Sequence, residues 1–343
     1  MTLSRSTFAA ATFAAAALAG LSMAGGDAVA QQSFYAGKTI NIVVGFSPGG
    51  GYDTYARLMA RFIGKYIPGN PNVVVQNMPG AGSLTAVMAL DATLPKDGTS
   101  ITAFNPGLLI QSMTIPDKVK TKFTEYAWLG SMSDDVRVCY MWGKLGVKTF
   151  DDMLKRNPLV MGDTGPGSSS FVNQKMLQQI FGMNLKQILG YPGSAEKRLA
   201  IERGELDGDC GSWSSLPDDW VRDKAIDVTL RFQKKSPKGL PEGITYGGDR
   251  IKDPEKMKLY ELLNSSSEVG RPYIMSKAVP ADRVAIVRAA FEKAMADPEL
   301  LAEAEKQRLL VSLLTGPEVE EMLKGLAATP PAVVAAAKAI TGD

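Results

Sequence analysis

One local plan recurs along the chain: a short β-branched strand, a loop of two or three glycines with small polar residues, then an amphipathic helix. Lys38 to Phe46 runs into Ser47-Pro48-Gly49-Gly50-Gly51, after which Tyr55, Leu58, Met59, Phe62, Ile63 and Tyr66 fall at helical spacing. Val73 to Val75 leads through Asn77-Met78-Pro79-Gly80-Ala81-Gly82-Ser83 to a helix ending near Leu90, and Ser100 to Phe104 is followed by Asn105-Pro106-Gly107. Leu159 to Met161 precedes Gly162-Asp163-Thr164-Gly165-Pro166-Gly167, where Ser168-Ser169-Ser170 opens a helix carrying Val172, Met176, Leu177, Ile180 and Phe181. Such alternation predicts an α/β protein of mainly parallel sheets flanked by helices. A chain of 343 residues is long enough for two lobes.

The division between lobes is expected at the strand Val136 to Trp142, after which Thr149 and Asp152 form a capping box for a helix over 150–156. Val228 to Phe232 reads as a strand returning toward the first lobe. Lobe one is thus 31–137 plus 232–343 and lobe two 138–231, with two crossings between them. Helices from Ala281 onward are expected to pack back on lobe one.

Before residue 31 the pattern is that of a secretory leader: Arg5, an apolar run from Phe8 to Leu21, and Ala28-Val29-Ala30 as a small-residue cleavage site. Export makes the compartment oxidising, so Cys139 and Cys210, the only cysteines, are candidates for one disulfide, with two buried free thiols as the alternative. Without the leader, 37 basic residues stand against 35 acidic ones, which leaves no electrostatic footprint for nucleic acid. The chain contains no histidine, which excludes His-dependent triads and imidazole acid/base chemistry and argues against a bound metal.

Glycine lets the backbone approach a ligand closely, and a helix behind the loop aims free N–H groups and a partial positive charge at it. Three such loops, Ser47–Tyr52, Asn77–Ser83 and Gly162–Ser170, therefore suit an anion held in a crevice at the carboxyl ends of the strands. Glycine turns of this kind also occur with no ligand, so the joint signal carries more weight than any one loop. No phosphate-loop motif or complete dinucleotide fingerprint is present in these loops, and no cofactor is expected. Asp53 is placed to complement its helix N-terminus rather than to hold a ligand, because it would repel a carboxylate. Asp134-Asp135, Asp151-Asp152 and Asp218-Asp219 read as solvated surface, and Trp213 and Trp220 either shield a ligand or fill the core. With no arginine in the three loops, charge recognition falls to backbone N–H groups, hydroxyls and water.

KTINIVVGFSPGGGYDTYARLMARFI, VVVQNMPGAGSLTA, MGDTGPGSSSFVNQKML and GYPGSAEKRLAIERGELD together resemble the solute receptors of tripartite tricarboxylate transporters, the Bug receptors, over nearly the whole chain after the leader. The resemblance implies a type II-like, two-lobe periplasmic binding protein with two hinge crossings, which is no enzyme. It implies capture of a di- or tricarboxylate, an amino acid or an aromatic acid, and delivery by a monomeric receptor to a large and a small membrane subunit. A secreted enzyme on the same scaffold and a ligand-sensing subunit are the alternatives. By position, the implied ligand-binding residues are Phe46, Ser47, Gly49, Gly50, Gly51 and Tyr52 from lobe one and Gly167, Ser168 and Ser169 from lobe two, with Ser83 and Asn105 in support. Met78, Phe171 and Gly211 depart from the family pattern, which usually has Arg, His and Asp there. With Tyr52 and Trp213 nearby, Gly211 suggests a more apolar far end, suited to a longer aliphatic or aromatic acid.

Overall fold

The computed structural model describes residues 34–342, so the expected leader and its cleavage after Ala30 lie outside the described residues. Twelve strands form two six-stranded mixed sheets. The first contains β1 (Thr39–Val44), β2 (Asn72–Asn77), β3 (Ser100–Ala103), β4 (Ala127–Ser131), β11 (Pro272–Met275) and β12 (Leu314–Thr315); the second contains β5 (Arg137–Trp142), β6 (Leu159–Gly162), β7 (Leu185–Ile188), β8 (Gly208–Ser212), β9 (Ile226–Arg231) and β10 (Thr245–Tyr246). The parallel expectation holds where the glycine loops are: β1 runs parallel to β2 and β3, and β6 to β7 and β8. Elsewhere the chain re-enters each sheet from the other lobe, and β11 and β5 pair antiparallel with both of their neighbours.

Burial explains the first unit. Ile40, Ile42 and Val44 of β1 pack with Tyr55, Leu58, Met59 and Ile63 of helix Gly51–Ile63, all at 1% exposure or less. Each such aliphatic side chain contributes about 1.5–3 kcal/mol when removed from water. Asp53 lies in the first turn of this helix, and its Oδ2 accepts from the Gly49 amide at 2.9 Å, which holds the loop against the helix start. The capping box forms as expected at Thr149 and Asp152, on helix Phe150–Lys155.

The lobe boundaries differ from expectation. Strand β9 does not return to lobe one but pairs antiparallel with β5, and β10 extends the same sheet. Helix Pro254–Ser265 then buries Tyr260 and Leu263 among Cys139, Met176 and Leu177 of lobe two. The second crossing consequently falls at Ser266–Arg271 rather than at residue 232; the first is Met132–Val136. Helices Ala281–Met295, Pro298–Lys306 and Gly316–Ala327 do pack on lobe one. The last helix, Pro331–Thr341, instead places Ala337 and Ile340 among lobe-two side chains and Ile110 of helix Gly107–Thr114. Cys139 and Cys210 are register partners on β5 and β8 and form a disulfide.

Candidate functional site

The carboxyl ends of β1, β2 and β3 carry loops 45–50, 78–83 and 104–106, and those of β6, β7 and β8 carry 163–168, 189–193 and 213–217. The two sets meet edge to edge. Ser47 donates its amide to the Pro192 carbonyl at 3.2 Å and its hydroxyl to Glu196 Oε2 at 2.8 Å. Asn105 Oδ1 accepts from the Ser169 amide at 2.9 Å and hydroxyl at 2.7 Å, so a side-chain oxygen of lobe one caps the lobe-two helix Ser169–Gln179. Glycine is needed where backbones touch, since a Cβ on Gly82 (φ +62°) would lie 2.5 Å from the Ser168 nitrogen; one on Gly51 would lie 1.9 Å from the side-chain Oγ of Ser215.

Between the edges is a cavity of about 40 Å³, to which lobe one brings Phe46, Gly50, Gly51, Tyr52, Asn105 and Arg271. Lobe two lines it with Arg137, Thr164, Ser168, Ser170, Ser194, Lys197, Gly211, Ser212 and Ser215. The N-cap Gly50 has no side-chain cap, so the first amides of helix Gly51–Ile63 face the cavity with the positive end of the dipole behind them. Across from them, Ser168 caps its own helix by accepting from the Phe171 amide. Its hydroxyl donates to Asp163 Oδ1 at 2.6 Å.

Three buried cations complete the lining. Arg271, from the second crossing, lies over the Tyr52 and Tyr55 rings at 4.7 and 4.9 Å, and Phe46 stacks on Tyr52. Its Nη2 donates to Ser212 Oγ at 2.7 Å and Ser215 Oγ at 2.9 Å, tying the crossing to lobe two. Arg137 donates through Nε to Asn173 at 2.6 Å and through Nη2 to the Cys210 carbonyl at 2.6 Å. Both guanidinium groups share one carboxylate, Asp135, whose Oδ2 is 3.2 Å from Arg137 and 3.4 Å from Arg271. Burial alone would raise the Asp135 carboxyl, but the two arginines outweigh it and hold it below the ordinary carboxylate range. Two cations on one anion leave a local excess of one positive charge. Lys197 pairs with Asp209 at 2.5 Å, both at 3% side-chain exposure or less. Burial pushes the Tyr52 phenol up to about 12, so it stays a neutral donor.

Comparison with known proteins follows from this geometry. No family model matches the sequence. A UPF0065 protein of Agrobacterium vitis is 26% identical over 188 residues, 53% of each chain, and the chain spans about half the length of the curated relatives it matches. Among solved structures, the periplasmic binding protein BugD superposes with a TM-score of 0.74 at 18% identity, covering 89% of this chain and 98% of its own. MatC from Rhodopseudomonas palustris, with bound malate, superposes with 0.70 at 16%, covering 87% and 99%. The fold is that of the Bug/TctC-type periplasmic receptors.

Within this receptor fold, Phe46, Gly50, Gly51, Tyr52, Asn105 and Ser168 of the expected set line the cavity. Ser47, Gly49, Ser83, Gly167 and Ser169 stand behind the lining: Ser47 and Ser169 bond across the lobes, Gly49 accepts from Arg198 at 2.6 Å, and Ser83 Oγ accepts from the Asn105 amide at 2.8 Å. Gly167 packs on Ala81 and Leu108. Sequence reasoning missed Arg137, Arg271 and Lys197, and the expectation of charge recognition without cationic side chains is corrected accordingly. The one local signal was an arginine beginning an otherwise apolar strand at Val136 to Trp142 and another just before β11. The far end is likewise cationic rather than apolar, because Trp213 is buried in the lobe-two core and donates to the Lys238 carbonyl. Asp135, expected at the surface, is 4% exposed.

Proposed function

We propose that the chain is an extracytoplasmic solute receptor that closes two lobes on a small carboxylate and hands it to a tripartite tricarboxylate-type transporter. One observation carries the reading: uncapped helix amides at Gly50–Tyr52 face hydroxyls of Ser168 and Ser170 across a cavity whose only charged lining residues are Arg137, Lys197 and Arg271. One carboxylate sits on the amides and turns the Ser170 hydroxyl toward itself, while Ser168, whose proton is taken by Asp163, holds the loop in place. The remainder of the ligand reaches the arginines. The malate held by MatC, a protein of the same fold, supports a small dicarboxylate as the ligand class.

Ligand entry parts the lobes at Met132–Val136 and Ser266–Arg271, and closure restores the contacts between Asn105 and Ser169. Asp53 is fully engaged by Gly49, Arg57 and Asn77, which leaves it no role as a base and favours binding over turnover. The receptor acts as a periplasmic monomer, its leader removed after Ala30, with a large and a small membrane subunit as partners. Titration calorimetry against mono-, di- and tricarboxylates tests this. Binding of at least one acid is expected, and no heat with any of them contradicts it.

A further inference from the structure

The cavity lining contains three cations and no carboxylate, although three buried aspartates stand directly behind it. Each is already engaged. Asp135 lies between Arg137 and Arg271. Asp163 accepts from Ser168, Gly165 and Gln187. Asp209 accepts from Lys197 Nζ at 2.5 Å and the Tyr140 hydroxyl at 3.3 Å.

Lys197 differs from the two arginines in what holds it: its Nζ is paired with Asp209 of β8, two residues before Gly211 of the lining. Asp209 and Gly211 lie two residues apart on β8 and point to the same face. A Cβ built on Gly211 would lie 3.4 Å from the Tyr140 ring and 3.6 Å from Asp209 Oδ2, so this glycine of the lining sits directly against that carboxylate. Asp209 Oδ1 is buried with no hydrogen-bond partner. The carboxylate thus stands just behind the lining, and the cation that reaches it from the cavity side is the protein's own Lys197.

Resting on the carboxylate-receptor reading, we infer that Lys197 sets specificity: its ammonium occupies the place at Asp209 that a ligand's α-ammonium would take, so the receptor accepts dicarboxylates and rejects their α-amino counterparts. An amino acid would bring a fourth cation into a site where like charges are only weakly screened, and the cavity lining offers it no carboxylate. A ligand without the amino group meets the excess positive charge at Arg137 and Arg271 with its second carboxylate.

Matched pairs test this by calorimetry: succinate against aspartate, glutarate against glutamate, adipate against 2-aminoadipate. For any pair that binds, the acid without the amino group is expected to bind at least about 100-fold more tightly, the scale set by an uncompensated like charge at close range. Equal or tighter binding of the amino partner overturns the inference, as does no heat with all six acids; the carboxylate-receptor reading beneath it falls only if mono- and tricarboxylates give no heat either. Lys197→Met frees Asp209 for a ligand ammonium and is expected to move the ratio at least about tenfold toward the amino acid. An unchanged ratio in a variant with native circular dichroism removes Lys197 from the account. Because that variant leaves a buried charge alone, at a cost in stability, Asp209→Asn is the second arm: it keeps the lysine, now unpaired, and must retain the preference for the acid without the amino group. Loss of that preference in Asp209→Asn also overturns the inference.

Discussion

Replacing Gly107 with alanine separates closure from folding. Gly107 is the first residue of helix Gly107–Thr114, and the added Cβ would lie 2.7 Å from the Ser169 nitrogen and 2.8 Å from the Ser168 carbonyl carbon. Ordinary contact begins at 3.4 Å, so lobe two has to retreat by roughly 0.7 Å at this point. Such a retreat stretches the Ser169 amide and hydroxyl bonds to Asn105 Oδ1 beyond useful length. Two hydrogen bonds at about 0.5–1.5 kcal/mol each give a loss of about 1–3 kcal/mol in the closed state. Ligand affinity should fall by about 5- to 150-fold. Folding should not suffer in parallel, because alanine restricts the unfolded chain and stabilises by about 0.4–1 kcal/mol where the backbone accepts it. Calorimetry and thermal melting read the two effects separately. Gly325→Ala, in helix Gly316–Ala327 with open space beside it, is the control and should leave affinity unchanged. Unchanged affinity in Gly107→Ala would refute the idea that these lobes must touch to hold a ligand.

Further expectations concern the crossings and the disulfide. Arg271→Met leaves Asp135 with one partner and removes the tie to Ser212 and Ser215; stability should drop by about 3–5 kcal/mol in denaturant titration, together with loss of dicarboxylate binding. Asp135 is held below its unfolded pKa, so its contribution is fully present above about pH 4 and is lost as the pH falls through the lower folded value. Asp135→Asn should therefore be less stable than the parent at neutral pH, with the gap closing below about pH 4, as read by unfolding at stepped pH. Removing the disulfide with Cys139→Ala and Cys210→Ala releases a constraint across a sequence separation of 71 residues, and chain entropy puts the loss at about 4 kcal/mol in equilibrium unfolding.

What was legible in the sequence was local. Strand, glycine loop and helix follow each other within about twenty residues, and each states its own geometry through β-branching, positive-φ glycine and helical spacing. That was enough to bring Gly50, Gly51, Tyr52, Asn105 and Ser168 to one cavity. The cations were not legible, because Arg137 and Arg271 lie 134 positions apart and meet at Asp135 only through the pairing of two crossings. Asp134 and Asp135 look alike as neighbours, yet Asp134 pairs with Lys235 at the surface and Asp135 is buried. The late second crossing was hidden because β10 has only two residues, and its register on β9 is a long-range fact with no periodicity to announce it. Glycine roles were also uneven. A Cβ on Gly50 would meet Ser194 at 3.7 Å, an ordinary contact, whereas one on Gly51 would lie 1.9 Å from Ser215 Oγ.

The account is tested most directly by a crystal structure of the protein with a dicarboxylate that calorimetry shows to bind. One carboxylate should lie within hydrogen-bond distance of the Gly50–Tyr52 amides and the Ser170 hydroxyl, with the other on Arg137 or Arg271. An acid found instead in the cleft of about 620 Å³ lined by Val136, Phe232 and Tyr260, with the glycine loops unliganded, would contradict it.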